Sequence, residues 1–271
     1  MERLQTTSPR ISPLIDHHVH TRLCGHATGE MEDYVCSALS RGLKEIVFLE
    51  HMEAGVNYSE RTWLTEDDFD EYFRTGRQLQ KKYSDRIAVK LGVEVGYSPT
   101  HGEELLKRLA ARSWDKIGLS YHFHKVADDS CDINLVSRKA FNTEAIKRFG
   151  PKKLLTLYYD TLIQAVKTIP ATHLCHLDAG LRFQQALPFT NSHRLQISKI
   201  LRLISDKGMA LEINTSGFAI RDEQFPSDKI LKEAIRLDIP LVCSSDAHRP
   251  EDVGRYFEKL PGLIKKLSEE R

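Results

Sequence analysis

Cysteine is scarce and scattered in this sequence, with five residues in 271 and no two of them arranged as a CxxC pair. This argues against a disulfide framework and against a thiolate zinc site. Long apolar runs are also missing: none is long enough to span a bilayer, and residues 1–13 lack the apolar core of a secretory signal. We therefore expect a cytoplasmic protein without a membrane partner.

An excess of charge of either sign is missing as well. Lys and Arg number 39 against 38 Asp and Glu, which leaves a formal net charge of +1. Such a chain produces no overall field that would concentrate nucleic acid or anionic lipid. No basic stripe with interleaved aromatic residues fits a polynucleotide backbone. We expect no nucleic-acid partner, and an anionic substrate must be held by local groups.

The composition is that of a globular protein, with 41% hydrophobic and 28% charged residues, and the length suits one α/β barrel. Apolar stretches that favour strands alternate with amphipathic stretches that favour helices. The predicted strands occupy residues 11–15 with the following 16–20, and then 45–50, 87–95, 115–121, 172–177, 209–214 and 240–244. The predicted helices occupy residues 31–41, 65–83, 103–112, 154–168, 192–207, 227–237 and a last one from 251 onward.

This alternation favours parallel βαβ units, and seven strands without a break indicate a barrel or near-barrel. An open doubly wound sheet is the alternative, but no Gly-rich phosphate loop follows the first predicted strand. We predict one domain over residues 1–271, with an N-terminal extension over 1–13. The polar segment 125–143 interrupts the alternation, and we interpret it as a lid or an insertion.

Histidines and carboxylates follow the predicted strands. The first of them lie in residues 16–20, where the alternation of a strand would direct His18 and His20 to one side. The whole set comprises His18, His20, His51, Glu94, His122, His176, Asp246 and His248. Because the carboxyl ends of barrel strands share one face, we expect these groups to meet at one mouth. An excess of imidazole over carboxylate suits Zn, Mn or Fe better than Ca or Mg.

Several short motifs succeed one another along the chain. They are Asp16-His17-His18-Val19-His20-Thr21, Cys24-Gly25-His26, Glu50-His51, Gly92-Val93-Glu94, Ser120-Tyr121-His122-Phe123, His176-Leu177-Asp178, Glu212-Ile213-Asn214-Thr215-Ser216-Gly217 and Ser244-Ser245-Asp246-Ala247-His248. In this order they resemble the motifs of the PHP superfamily of metal-dependent phosphoesterases, and most of all those of the monofunctional histidinol-phosphate phosphatases. The similarity extends from about Ile15 to Tyr256 and is far more specific than one HxH pair.

The resemblance implies a distorted (β/α)7 TIM-like barrel that holds three divalent transition metal ions, Zn, Mn or Fe. Carried over by motif, the ligands would be His18, His20 and Asp246 for the first metal, Glu94 as a bridge to the second, His122 and His176 for the second, and His26, His51 and His248 for the third. Each of these positions is occupied by a competent ligand. This complete set of ligands argues against a family member that has lost its catalytic activity.

The chemistry expected of such a centre is hydrolysis of a small phosphomonoester, in which a metal-bridging hydroxide attacks phosphorus in line with the leaving alkoxide. Glu94 and Asp246 would take part in catalysis as metal ligands. Two loop arginines, Arg182 and Arg221, are candidates for binding the phosphoryl oxygens, because the fork of a guanidinium matches their geometry.

The acid that protonates the leaving alkoxide is harder to assign. Asp178 and His124 are the candidates. Asp178 has an alternative interpretation as the partner that orients a ligand imidazole, which is the commoner use of such a carboxylate.

The resemblance implies L-histidinol phosphate as the substrate, hydrolysed to L-histidinol and phosphate in histidine biosynthesis. A PHP phosphoesterase acting on nucleotide or sugar phosphates is the nearest alternative, and a metal-binding or regulatory protein without turnover is the alternative from another class. The resemblance does not explain His17. The sequence sets neither the oligomeric state nor the native metal.

Overall fold

The computed structural model describes residues 11–126, 131–184, 187 and 189–269. The strands of this part of the chain are β1 (Ile15–Val19), β2 (Glu45–Met52), β3 (Ala88–Gly96), β4 (Lys116–Ser120), β5 (Phe123–His124), β6 (Ile133–Asn134), β7 (His173–Leu174), β8 (Ala210–Asn214) and β9 (Leu241–Ser244). Seven of them form one parallel sheet in the order β1-β2-β3-β4-β7-β8-β9. The short strands β5 and β6 form a separate antiparallel pair.

The helices of the described residues are α1 (Met31–Ser40), α2 (Glu66–Lys82), α3 (Gly102–Ala110), α4 (Ala140–Phe149), α5 (Pro151–Thr168), α6 (Asn191–Asp206), α7 (Phe218–Arg221), α8 (Asp228–Arg236) and α9 (Leu260–Glu269). Helix α2 begins with the capping box that the sequence predicts, because Thr65 and Asp68 each bond the other's backbone N–H. Among the described helices, none is long and apolar enough to cross a membrane.

The parallel sheet is nearly closed into a barrel, because its first strand also approaches its last. The backbone N–H of His20 donates to the carbonyl of Ala247 at 2.9 Å, and Val19 forms a parallel bridge with the same residue. This closure confirms the predicted barrel of seven parallel strands and excludes the open sheet. The carboxyl ends of all seven strands therefore lie at one end of the barrel.

The apolar core lies between the barrel and its surrounding helices. On β2, Ile46 and Phe48 belong to this core and are completely buried. A second, much smaller apolar cluster consists of Val47, Leu49 and Cys175. The alternation of the two clusters along β2 is the period of a strand whose opposite sides are both covered.

The first strand contains an irregularity of register that the sequence did not indicate. Asp16 pairs with Ile46 and Val19 pairs with Phe48, so that two residues, His17 and His18, stand opposite one residue of β2. This is the count of a β-bulge, which interrupts the alternation of sides. His17 is thus one of the two residues of this bulge, and the other, His18, is the first residue of the HxH pair.

The C-terminal part of the chain departs from the prediction of a helix from residue 251. Short 3-10 turns, Pro250–Asp252 and Phe257–Lys259, come first, and α9 begins only at Leu260. The helical prediction is wrong here because Gly254 and Tyr256 adopt positive φ angles of 65° and 60°, which a continuous helix does not contain.

The two segments that the sequence singled out are only partly described. Residues 1–10 of the proposed extension and 127–130 of the proposed lid or insertion lie outside the described residues. The described remainder of 125–143 includes β6 and the beginning of α4. The division into one domain with these two additions stays a prediction.

Candidate metal centre

The nine predicted metal ligands come together at the carboxyl end of the barrel. Seven are buried, namely His18, His20, His51, Glu94, His122, His176 and Asp246. The other two, His26 and His248, lie at the rim, where His26 is exposed and His248 is partly exposed. Buried imidazoles and carboxylates are costly unless they are paired or bind a metal, so this concentration requires an explanation.

Glu94, on β3, lies at the centre of the cluster and is completely buried. Its Oε1 is 2.8 Å from His176 Nε2 and 3.2 Å from His122 Nε2, whereas its Oε2 is 2.8 Å from His51 Nδ1 and 3.4 Å from His18 Nε2. Burial alone would raise the pKa of Glu94, but the surrounding imidazoles hold that pKa well below its usual value. The two oxygens of one carboxylate thus face different histidines, as a bridging ligand requires.

His18, His20 and Asp246 form the first group of possible ligand atoms. The two Nε2 atoms are 2.9 Å apart, and Asp246 Oδ1 is 3.4 Å from His20 Nε2. The Nδ1 atom of His18 donates to Glu212 Oε1 at 2.7 Å, which leaves its Nε2 without a proton in the neutral ring. Glu212 therefore fixes both the orientation and the tautomer of His18.

Glu94, His122 and His176 form the second group. His122 Nδ1 donates to Glu53 Oε1 at 2.8 Å, and its Nε2 faces Glu94. A carboxylate behind the ring is the usual way in which proteins orient an imidazole that binds metal. Glu53 supplies this contact to His122 as Glu212 supplies it to His18.

The third group joins the barrel to two loops. His20, His51 and His248 bring one nitrogen each within reach of a common point, and His26 Nε2 lies 2.9 Å from His248 Nε2. The rings of His26 and His51 are also close, with 5.2 Å between their centroids. All four imidazoles thus border one space beside Glu94.

The contact between His26 and His248 is a direct test of whether a cation fits this space. The Nδ1 atoms of the two rings are bonded to the backbone carbonyls of Cys24 and Asp246, at 3.3 and 3.1 Å. A carbonyl only accepts, so Nδ1 carries the proton in each neutral ring, and both facing Nε2 atoms carry a lone pair. Two lone pairs at 2.9 Å repel each other unless a proton or a metal ion shares them. The donor set therefore fits a divalent transition metal.

A cavity of about 930 Å³ opens above the cluster. Its floor includes His51, Glu94, His122, His176 and Asp246. Its walls carry both charged and aromatic side chains, among them Tyr58, Glu60, Phe123, Lys139, Arg182 and Arg255. A cavity of this size with polar groups at its base is typical of a site for a small molecule.

The structure separates the two arginines that the sequence proposed for phosphate binding. Arg182 lines the cavity, and its Nε donates to the carbonyl of Val136 at 3.2 Å. Arg221 is not among the lining residues; its Nη2 lies 3.1 Å from both carboxylate oxygens of Asp178 and also donates to the carbonyl of Gln224. The arrangement supports Arg182 as a substrate-binding group and gives Arg221 a structural partner.

Neither candidate for the general acid lines the cavity. Asp178 accepts from Arg221 and from the backbone N–H of Ser227 at 3.0 Å, so both of its oxygens are engaged. His124 Nδ1 lies 3.0 Å from the hydroxyl of Tyr121, and its ring packs edge to face on Phe149. These positions favour structural roles for both side chains, and their catalytic role stays a prediction without support from the geometry.

Sequence reasoning did not assign the two carboxylates behind the ligand rings. Glu53 follows His51 by two residues, and Glu212 precedes Asn214 by two residues at the end of β8. The period of a strand could have indicated that each shares a side with its functional neighbour. The burial of Glu212, at 0% exposure, is a property that the sequence does not reveal.

Comparison with known proteins gives matches along almost the whole chain. The sequence model of the PHP domain matches residues 16–216, and that of the PHP-associated segment matches residues 227–267. A protein of Deinococcus radiodurans named "Probable histidinol-phosphatase" is 29% identical over 248 residues, which are 90% of each chain. The histidinol-phosphatase of Bacillus subtilis is 26% identical over 260 residues, which are 90% of this chain and 96% of the relative.

A solved structure has the same fold. It is the histidinol phosphate phosphatase of Lactococcus lactis subsp. lactis in complex with zinc, L-histidinol and phosphate. The superposition has a TM-score of 0.78 at 24% sequence identity and covers 93% of both chains. The distorted seven-stranded barrel of this chain is therefore the fold of a known phosphatase.

Proposed function

Because the chain belongs to the PHP domain family, we propose that it hydrolyses a small phosphomonoester, L-histidinol phosphate, to L-histidinol and phosphate. The curated relatives that match it over about nine tenths of its length are histidinol-phosphatases by name. The observation that carries the proposal is the pair of facing Nε2 atoms in His26 and His248, at the edge of a cluster that has Glu94 at its centre. Such a donor set is suited to metal-assisted hydrolysis.

The ligand groups follow the geometry of the cluster. His18, His20 and Asp246 would hold a first divalent ion, and Glu94 with His122 and His176 a second. His26, His51 and His248 would hold a third, because His51 shares a common point with His248 and the Nε2 atoms of His26 and His248 face each other. Bound there, such ions would lower the pKa of water and neutralise charge on the phosphoryl oxygens. Zn, Mn and Fe all suit a site rich in imidazole.

The protein's own side chains would bind and orient the substrate. Arg182 is placed to donate to the phosphoryl oxygens, because among the described residues only Val136 bonds its guanidinium, and only at Nε. The rings of Tyr58 and Phe123, with centroids 5.1 Å apart, offer an apolar wall for the imidazole ring of the substrate. Arg182 and the two rings line the same cavity as Glu94 and His176, which belong to its floor.

Release of inorganic phosphate from a small panel of phosphomonoesters tests the proposal. The panel contains L-histidinol phosphate, a nucleoside monophosphate and a hexose phosphate, and bound metal is measured on the same protein. We expect the highest kcat/KM for L-histidinol phosphate, and loss of hydrolysis in a Glu94→Gln variant. Faster hydrolysis of another ester would identify that ester as the better substrate, and the proposed hydrolysis of a phosphomonoester would still stand. Stoichiometric metal without hydrolysis of any ester would favour a binding protein.

A further inference from the structure

A single carboxylate contacts two predicted ligands that belong to different metal groups. Glu212, on β8, is completely buried. Its Oε1 accepts from His18 Nδ1 at 2.7 Å, and its Oε2 accepts from the backbone N–H of His176, also at 2.7 Å. His18 belongs to the first group and His176 to the second. Each oxygen of this one carboxylate therefore accepts a hydrogen bond from a residue of a different metal group.

We propose that Glu212 is a positioning residue that sets the geometry of two metal sites at once, through the ring of His18 and through the backbone of His176. The inference rests on the proposed function, because it takes these histidines as metal ligands. It assigns Glu212 no contact with substrate or metal.

The backbone of His176 explains why that contact is needed. His176 has a φ angle of 24°, which lies on the left-handed side of the backbone map, where a residue with a Cβ atom is strained. Its Nδ1 atom is buried and has no hydrogen-bond partner among the described residues. The ring thus lacks the support that His18 and His122 receive at Nδ1. The hydrogen bond from the backbone N–H of His176 to Glu212 therefore holds the residue in its turn.

A metal ion between His18 and Glu212 is a different explanation, which the tautomer of His18 rules out. Together with Cys175, these residues form a group of possible ligand atoms. The Nε2 atom of His18 faces His20 and Glu94, so in a neutral ring that binds a metal there, Nδ1 carries the proton and has no lone pair for a second cation. The observed separation of 2.7 Å between His18 Nδ1 and Glu212 Oε1 is that of a hydrogen bond.

Asn214 extends the same support toward a third ligand. Its Nδ2 atom lies 3.3 Å from Glu212 Oε2 and 3.3 Å from Asp246 Oδ2. Glu53 provides the contrast, because among the described side chains its hydrogen-bond partner is His122 alone. Loss of Glu53 should therefore disturb one metal site, whereas loss of Glu212 should disturb two.

Titration of the metal-depleted protein with Zn²⁺, in competition with a chromophoric chelator, tests this difference. In Glu212→Gln the single amide oxygen can accept from only one of the two donors, and the amide N–H₂ must face the other. We expect the affinity of two of the bound ions to fall by about 10- to 100-fold, as for other residues that orient ligands. In Glu53→Gln the affinity of one ion should fall, and Glu212→Asp should restore part of the loss.

The variant Tyr72→Phe controls for destabilisation alone. The Tyr72 hydroxyl is buried and donates to the carbonyls of Phe48 and Gly92 in the barrel wall, so its loss should lower stability but leave Zn²⁺ affinity unchanged. The inference is overturned if Glu212→Gln binds all ions with wild-type affinity, or loses no more of them than Glu53→Gln. If Glu212→Gln does not fold, the same criterion applies to Glu212→Asp. If the wild-type protein binds Zn²⁺ but does not hydrolyse L-histidinol phosphate, the proposed function is rejected and the positioning role of Glu212 still stands.

Discussion

The carboxylate of Glu53 lies directly over the α-carbon of Gly96. A Cβ atom built on Gly96 would be 1.9 Å from Glu53 Oε1 and 2.1 Å from Oε2, distances at which atoms overlap. The same Oε1 atom accepts the hydrogen bond from His122 Nδ1. Glycine at the end of β3 is therefore a requirement for the orientation of His122, which lies two residues beyond the neighbouring strand β4.

The substitution Gly96→Ala should displace Glu53 and leave His122 without its partner. We expect the free energy of unfolding to fall by about 1 to 3 kcal/mol, as for other overpacked sites, and Zn²⁺ affinity to fall by about 10-fold. Urea denaturation and Zn²⁺ titration measure the two effects. Gly262→Ala in α9 is the matched control, because a Cβ atom there meets nothing within 4 Å. Wild-type affinity in Gly96→Ala would show that His122 does not depend on Glu53.

Arg182 and Arg221 should respond to substitution in opposite ways. Arg182→Ala removes a donor at the cavity wall, so kcat/KM should fall by about 10²- to 10³-fold, as when one transition-state donor is lost. Arg221→Ala leaves Asp178, whose side chain is only 10% exposed, without its cationic partner, so stability should fall by about 3 kcal/mol. Steady-state kinetics with bound-metal analysis and urea denaturation distinguish the two outcomes. Lost activity at unchanged stability in Arg221→Ala would instead place Arg221 in the site, as the sequence predicts.

These two arginines show where sequence reasoning succeeds and where it stops. The cluster around Glu94 could be predicted, because the last residues of parallel strands lie at one end of a barrel, independently of the conformation of the loops. The direction of a loop arginine depends on its tertiary partners. Arg221 turns to Asp178, and no spacing in the sequence reveals that this carboxylate lies beside it.

The first strand gives a second example. Its HxH pair indicates two imidazoles on one side of the strand. The Nε2 atoms of His18 and His20 do approach each other, at 2.9 Å. The bulge at His17 and His18 has no sequence signature, since no glycine marks it, and only the register against Ile46 and Phe48 reveals it.

Asp132 joins the segment after β5 to the loop after β2. Its Oδ2 atom and its backbone N–H bond the backbone of Asn57, at 2.8 and 2.7 Å. Asp132→Ala should weaken the attachment of the loop that carries Tyr58, a residue of the cavity wall, by about 1.5 to 3 kcal/mol, the range for a hydrogen bond to a charged group. We expect a higher KM at unchanged metal content, and faster hydrogen exchange at the Asn57 amide.

Glu71→Ala is the control for that substitution, because Glu71 pairs with Arg22 where both side chains are more than one third exposed. An exposed pair of this kind contributes less than about 1 kcal/mol. Unchanged KM and unchanged exchange in Asp132→Ala would show that the segment is held by other contacts, such as that between Asn142 and the Tyr58 hydroxyl.

His173 makes stability depend on pH. It is 2% exposed, and burial, to which His18 and Lys116 add, lowers its pKa to about 3, although Glu212 acts in the opposite sense. The unfolded chain, with a pKa near 6.5, takes up a proton as the pH falls below that value, whereas the folded chain does so only near pH 3. Stability is therefore lost as the pH falls from 6.5 toward 3, by at most about 1.4 kcal/mol per pH unit from this residue.

The substitution His173→Asn keeps a polar atom near Thr172 Oγ1, which lies 3.0 Å from His173 Nδ1, but removes the titrating group. Urea denaturation of the metal-depleted proteins at pH 7, 6 and 5 should give a shallower loss of stability in the variant than in the wild type. Between pH 7 and 8 the two should change in parallel, because His173 is neutral in both the folded and the unfolded chain there. Parallel curves at all pH values would mean that His173 becomes protonated in the fold as readily as in water, and the burial argument would fail.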